Sequence, residues 1–99
     1  MSKAVITGMG IHKFGRFGSK SYVEMGLEAV DMAIKDAGIS FKDIQIAFCA
    51  NVFLPTSIGV RIMAQFGKTG IPVTDVEAAC AASVDCVKLA QMAIESGRY

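Results

Sequence analysis

Between Ser21 and Gly38 apolar residues return at helical spacing. Val23, Leu27, Val30 and Ile34 share one face, with Glu24, Glu28, Asp31 and Lys35 on the other, so the pattern predicts an amphipathic helix packed on one side. Both ends carry stop signals. Ser21 followed by Glu24 reads as a capping box, in which hydroxyl and carboxylate satisfy backbone donors reciprocally, and Gly38 suits the left-handed position that closes a helix. Elsewhere the period shortens. Residues 3–9 carry Ala4, Val5 and Ile6 into Gly8-Met9-Gly10 and read as a short buried strand, followed by a loop through Lys13-Phe14-Gly15-Arg16-Phe17-Gly18. Residues 44–49, of β-branched and aromatic character, predict a second strand. Residues 51–57, with Pro55 inside, read as a loop. Residues 58–66 predict a short helix, with Ile58, Ile62 and Phe66 at four-residue spacing and Gly67 as its end. Beyond Gly70 and Pro72, residues 73–76 predict a third strand. A last helix is expected over about residues 81–96, carrying Val87, Leu89, Ala90, Ala93 and Ile94, with Gly97 as its stop.

The predicted order is β-α-β-α-β-α. Such alternation implies right-handed crossovers and a mainly parallel sheet with helices packed on it, an α/β fold whose ligands sit at the carboxyl ends of the strands. Cys80 falls at that end, just past the third strand. No internal repeat, charge block or linker composition divides the chain, so its 99 residues make one small domain at most. With 53% hydrophobic and 19% charged residues, it is richer in apolar groups than a small soluble domain needs. A domain of this size buries only about 60 to 65% of its unfolded surface, so the excess predicts a face covered by a larger protein or a tight partner.

A formal net charge of +1 without a Lys/Arg cluster offers no footprint for nucleic acid, and no basic amphipathic stripe speaks for a membrane surface. The opening apolar run is too short and too Gly-rich for a signal peptide or a spanning helix. The cytoplasm is the expected location. Three cysteines and one histidine fall short of the paired spacing and roughly four ligands of a zinc site, so reduced thiols and no bound metal are expected.

The residues alone leave two readings of Cys80 open. A free cysteine is usually a small buried hydrophobe. Yet this one stands where a β-branched strand gives way to a helix, among the small residues Ala78, Ala79, Ala81 and Ala82. A thiol there faces backbone N–H groups and the positive end of the helix dipole, which favour charge on sulfur and could receive an oxyanion after attack on a carbonyl. Other candidates are weaker. Cys86 lies six residues on and is rotated off the face of Cys80, so packing is expected for it, as for Cys49 at the end of an apolar strand. His12, in the loop after the first strand, is assigned a surface or packing role. Gly8-Met9-Gly10 lacks the third glycine of a dinucleotide fingerprint, and Asp31 belongs to a helix's polar face rather than to a ribose. Asp75, Glu77 and Asp85 flank Cys80 without pairing for acid–base work. Asp85 and Lys88 suit a local helix contact.

Three blocks carry a family likeness: Val76-Glu77-Ala78-Ala79-Cys80-Ala81-Ala82-Ser83; Ala4-Val5-Ile6-Thr7-Gly8-Met9-Gly10 followed by Lys13-Phe14-Gly15; and the Ser-Tyr capped helix ending Asp36-Ala37-Gly38-Ile39. Together, and in their order along the chain, they resemble the N-terminal part of a thiolase, closest to the sterol-carrier and lipid-transfer branch that includes acetyl-CoA acetyltransferases. The resemblance implies that residues 1–99 are the N-terminal segment of a thiolase N-terminal domain. It puts the family's nucleophile on Cys80 and implies acyl transfer on coenzyme A thioesters, by thiolysis or Claisen condensation, with coenzyme A as part of the substrate and no permanently bound cofactor. The family's general base and acid, a histidine in a Gly-His-Pro segment and a second cysteine, have no counterpart in this sequence. Where the branch commonly has glycine three positions after the nucleophile, this chain has Ser83, which is expected to bear on the substrate path. A β-ketoacyl synthase III or a hydroxymethylglutaryl-CoA synthase is the neighbouring alternative, since their nucleophiles follow similar sequences. A non-catalytic subunit or accessory partner is the other. The family's association implies a homodimer or homotetramer through residues 51–76, where Phe53, Leu54, Ile58, Ile62, Met63 and Phe66 concentrate apolar surface.

Overall fold

The computed structural model describes residues 3–99. Helix α1 spans Tyr22–Ala37, between the residues the sequence predicts, with one half of the expected Ser21–Glu24 box formed. The Ser21 hydroxyl accepts the N–H of Glu24 at 3.1 Å. Gly38 turns left-handed at φ 71° and donates its N–H to the carbonyls of Ile34 and Lys35, which quiets carbonyls that would otherwise lack partners. A complete capping box follows where none was predicted. Ser40 and Asp43 exchange side-chain and backbone bonds around the 3-10 turn Phe41–Asp43. This turn delays the next strand: β1 is Ala47–Ala50, starting three residues later than the β-branched run suggests.

β2 is Val73–Val76, as predicted, and pairs with β1 in parallel, Ala47 opposite Val73 and Cys49 opposite Asp75. Between them the chain crosses over through α2, Ile58–Met63, and a 3-10 turn Ala64–Phe66 that ends at Gly67. The final helix α3, Ala82–Glu95, packs on both strands. The parallel α/β unit expected from the alternation is therefore present.

The first predicted strand is not. Residues 3–9 form no ladder with β1 or β2, and Val5 and Ile6 are 73% and 77% exposed. The glycines of this segment instead lay the backbone along α1. A Cβ on Gly8 would stand 2.5 Å from the Ala33 carbonyl oxygen and 2.7 Å from the Ala37 nitrogen, and one on Gly10 would meet the Ala29 carbonyl. The Met9 N–H donates to the Asp36 carboxylate at 2.9 Å. A backbone held this closely against a helix finds its partner there rather than in a sheet.

The core sits where α2 meets the sheet and α1. Ile58 is 2% exposed, Ile62 8% and Ala82 2%. Ile62 presses on Gly26 of α1, where no side chain would fit. Phe66 stacks on Phe41 at 4.8 Å between ring centroids. Much of the apolar stretch assigned above to an interface between copies thus packs within the chain, because the four-residue spacing of Ile58, Ile62 and Phe66 turns them inward together. Phe53 remains fully exposed.

Candidate active site

β2 delivers the chain to Glu77 and Ala78, after which residues Ala79–Ala81 form a 3-10 turn and α3 begins at Ala82. Cys80 is in the middle of that turn, exposed. α3 itself starts one residue later than expected, with the 3-10 turn filling the corner before it. Ala79 holds a left-handed φ of 48°, a conformation that costs a residue with a Cβ about 1 to 2 kcal/mol. Its N–H is held by the Glu77 carboxylate, Oε2 accepting at 2.6 Å. The Ala81 N–H donates to the Ala78 carbonyl at 3.0 Å and the Ala82 N–H to that of Ala79. Burial of the Ala82 methyl pins the start of α3 against the fold. These bonds occupy N–H groups that the sequence reading had offered to an oxyanion. Within this turn the N–H of Cys80 itself is the donor left to consider.

Ser83 and Cys86, farther along α3, line a cleft of about 610 Å³ together with Tyr22, Met25, Leu54 and Cys49. Its walls are mostly apolar. The two thiols here are held in their protonated form more firmly than a free cysteine. Burial, reinforced by the Asp75 carboxylate, pushes Cys49 up from 9.0 to about 11, and burial with Asp85 and Asp75 raises Cys86. At pH 8 a thiol titrating at about 11 is about 0.1% thiolate. Alkylation of the native protein at pH 8 is expected to mark Cys80 first, with Cys49 reacting only as pH nears 11 or on unfolding. Peptide mass mapping checks this, and equal labelling of Cys49 at pH 8 would contradict it. The linkage has a defined sign. The unfolded thiol loses its proton near pH 9 while the folded one retains it, so this contribution to stability is intact below pH 9 and is lost as pH climbs toward 11.

Asp75 has a role that spacing alone did not disclose. Ser57, ahead of α2, sits at φ 62° and makes no side-chain cap. The Asp75 carboxylate reaches across from β2 and accepts the Gly59 N–H at 2.9 Å, capping α2 from another element. An acid inside the β-branched run Val73-Thr74-Asp75-Val76 is the available signal.

His12 makes a structural knot, as assigned. Its Nδ1 lies 2.8 Å from the Lys13 carbonyl and its Nε2 3.2 Å from Glu28, while its ring meets Phe17 edge-on at 4.9 Å. Lys20 bonds Glu28 at 2.6 Å and holds that carboxyl below its usual range. The loop is thereby tied to α1. Asp31 pairs with Lys35 at 2.7 Å and Asp85 with Lys88 at 3.5 Å, both local helix contacts. Among the described residues no three His, Cys, Asp or Glu side chains gather to hold a metal, and no helix is long and apolar enough to cross a membrane.

No protein-family profile matches the chain. Individual proteins do. It is 38% identical to the non-specific lipid-transfer protein-like 2 of Caenorhabditis elegans over 96% of its own length and 24% of that protein's. It is 32% identical to the acetyl-CoA acetyltransferase of Methanocaldococcus jannaschii over 98% of its length and 26% of the relative's. Among solved structures, the Ltp2-ChsH2(DUF35) aldolase superposes with a TM-score of 0.75 at 26% identity, covering 96% of this chain and 25% of that one. The chain spans about a quarter of the length of the curated relatives it matches. It has a thiolase-like α/β fold, and over the portion that the three sequence blocks mark its relatives are acetyl-CoA acetyltransferase, sterol-carrier and lipid-transfer proteins of the thiolase kind.

Proposed function

We propose that residues 1–99 are the N-terminal segment of a longer acyltransferase acting on coenzyme A thioesters, with Cys80 as its nucleophile. The observation that carries this reading is the exposed thiol of Cys80 on a constrained turn between β2 and α3, in a chain aligned almost end to end with an acetyl-CoA acetyltransferase. In the proposed step the Cys80 thiolate attacks the thioester carbonyl, coenzyme A leaves as its thiolate, and the acyl group rests on sulfur. A thiolate is both a good nucleophile and a good leaving group, so the acyl-enzyme forms and discharges without a deep energy well. In the condensing direction the α-carbon of a second acyl-CoA, its proton taken by a base of the longer protein, attacks the acyl carbonyl, and the carbon–carbon bond forms as the carbon–sulfur bond breaks and the Cys80 thiolate leaves; thiolysis is the reverse. The base that takes the Cys80 proton is assigned to the longer protein, because the one histidine here is engaged with Lys13, Phe17 and Glu28.

The cleft lined by Ser83 is the proposed acyl path. Its apolar walls suit a hydrocarbon chain, and Ser83 adds a side chain at its edge. In the same reading the exposed Phe53 belongs to the contact between two copies of the enzyme.

Mass mapping after incubation of the full-length protein with acetyl-CoA tests the nucleophile: the acetyl group is expected on Cys80, and an adduct on Cys49 or Cys86 alone would overturn the assignment. Ser83→Gly is expected to raise relative kcat/KM for bulkier acyl-CoA substrates by a few-fold, since removing a side chain beside a channel adds room. Unchanged ratios across a chain-length series would remove Ser83 from the path.

A further inference from the structure

Glu77 has no part in the sheet and none in the acyl transfer drawn above, yet it makes one short, directed bond. Its Oε2 accepts the Ala79 N–H at 2.6 Å, and Ala79 is the residue that carries a left-handed φ immediately before Cys80. Ala78 departs from regular geometry as well, at φ −157° and ψ 42°. A glycine would adopt the left-handed turn freely, whereas an alanine resists it. The chain thus places a residue that disfavours the turn at its first position and a carboxylate two positions earlier that holds it.

We propose that Glu77 is a positioning residue for Cys80: its carboxylate straps the Ala79 N–H and thereby fixes the left-handed turn that presents the sulfur beyond the end of β2. This rests on the reading of Cys80 as the nucleophile. The bond joins two residues just ahead of the thiol and does not involve Cys80 itself, as a positioning role requires. Released from the strap, Ala79 relaxes toward negative φ and swings the next residue, so the sulfur is displaced relative to anything bound before it. Displacement of a reacting atom by about 1 Å costs up to about a hundredfold in rate. The same freedom places the role of Glu77 apart from proton transfer, since its effect passes through the backbone.

The test compares Glu77→Ala, Glu77→Gln, Ala79→Gly and the double variant Glu77→Ala/Ala79→Gly in the full-length protein. Readouts are the rate and pH profile of Cys80 alkylation by iodoacetamide, kcat and KM with acetyl-CoA, and the thermal midpoint. Glu77→Ala is expected to change the rate of Cys80 alkylation and to lower kcat by about tenfold, with KM within about twofold. Glu77→Gln is expected to stay within about threefold of the parent, because the amide oxygen accepts the same N–H. Adding Ala79→Gly to Glu77→Ala is expected to restore most of the loss, because glycine keeps the turn without a strap. Parent-like alkylation and kcat in Glu77→Ala would overturn the proposal, as would a double variant no better than Glu77→Ala. Failure of the parent protein to acylate Cys80 would overturn the acyl-transfer reading instead. The alkylation comparison, which needs no acyl-CoA, would still decide the strap.

Discussion

Cys80→Ser is expected to abolish the covalent acyl adduct and to lower kcat/KM of the full-length enzyme by about three orders of magnitude or more, the scale seen when a covalent nucleophile is removed. Serine is nearly isosteric with cysteine, so the turn Ala79–Ala81 and the buried Ala82 behind it are expected to survive. The loss is then chemical. A serine hydroxyl needs an activating base before it attacks a thioester, whereas a thiol supplies some thiolate unaided near neutral pH. Two controls sharpen the result. Cys86→Ser and Cys49→Ser should leave the Cys80 adduct in place, because their thiols line the cleft and are raised by burial. Retention of the adduct in Cys80→Ser, read by mass mapping, would remove the nucleophile from this position.

The largest effect on stability is expected at Gly59. This residue is buried in α2 against the sheet, and a Cβ built there would stand 2.7 Å from the Cys49 Cβ, 2.9 Å from the Asp75 Oδ1 and 3.1 Å from the Val73 Cγ1. Those neighbours belong to both strands of the parallel pair, so relief by shifting one of them disturbs the ladder. Moving α2 outward instead would stretch the 2.9 Å bond from the Gly59 N–H to Asp75 and open the packing around Ile58. Gly59→Ala is therefore expected to cost about 2 to 3 kcal/mol, from overpacking together with a weakened buried cap. The shift of the urea midpoint measures it. A loss below about 0.5 kcal/mol would mean that α2 is held less tightly to the sheet than the contacts indicate.

How much of this was legible in the sequence depends on how local the cause was. Helix α1 could be read to both ends because its causes lie within it: an apolar stripe, a Ser21 cap and a Gly38 exit. β2 was bounded by Pro72 and by the Glu77-Ala78 corner, and it too was read as it stands. The strand expected over residues 3–9 failed for a non-local reason. Its apolar run satisfied the strand pattern, but Gly8 and Gly10 fit the backbone against Ala29, Ala33 and Ala37, which no short-range periodicity encodes. The start of β1 moved because the Ser40 and Asp43 box captured the preceding residues. At the candidate site, the place of Cys80 was readable from the change in residue type around it. The strap from Glu77 and the left-handed Ala79 were not, since an alanine gives no sign of positive φ. Asp75 reads in the sequence only as a neighbour of the cysteine, because its partner is sixteen residues away on α2.

The carboxylate of Asp75 has a consequence for how the chain can vary over generations. It caps the start of α2, sits opposite Cys49 in the ladder, and belongs to the strand that ends one residue later and leads to the Cys80 turn. A drift to alanine or valine at this position would be felt by selection three times, as a frayed helix, an altered thiol environment and a shifted approach to Cys80. No single compensating change repairs all three, since they reside on different elements. Position 75 is therefore expected to be among the slowest to diverge outside the cysteine itself, although its side chain need never meet a substrate.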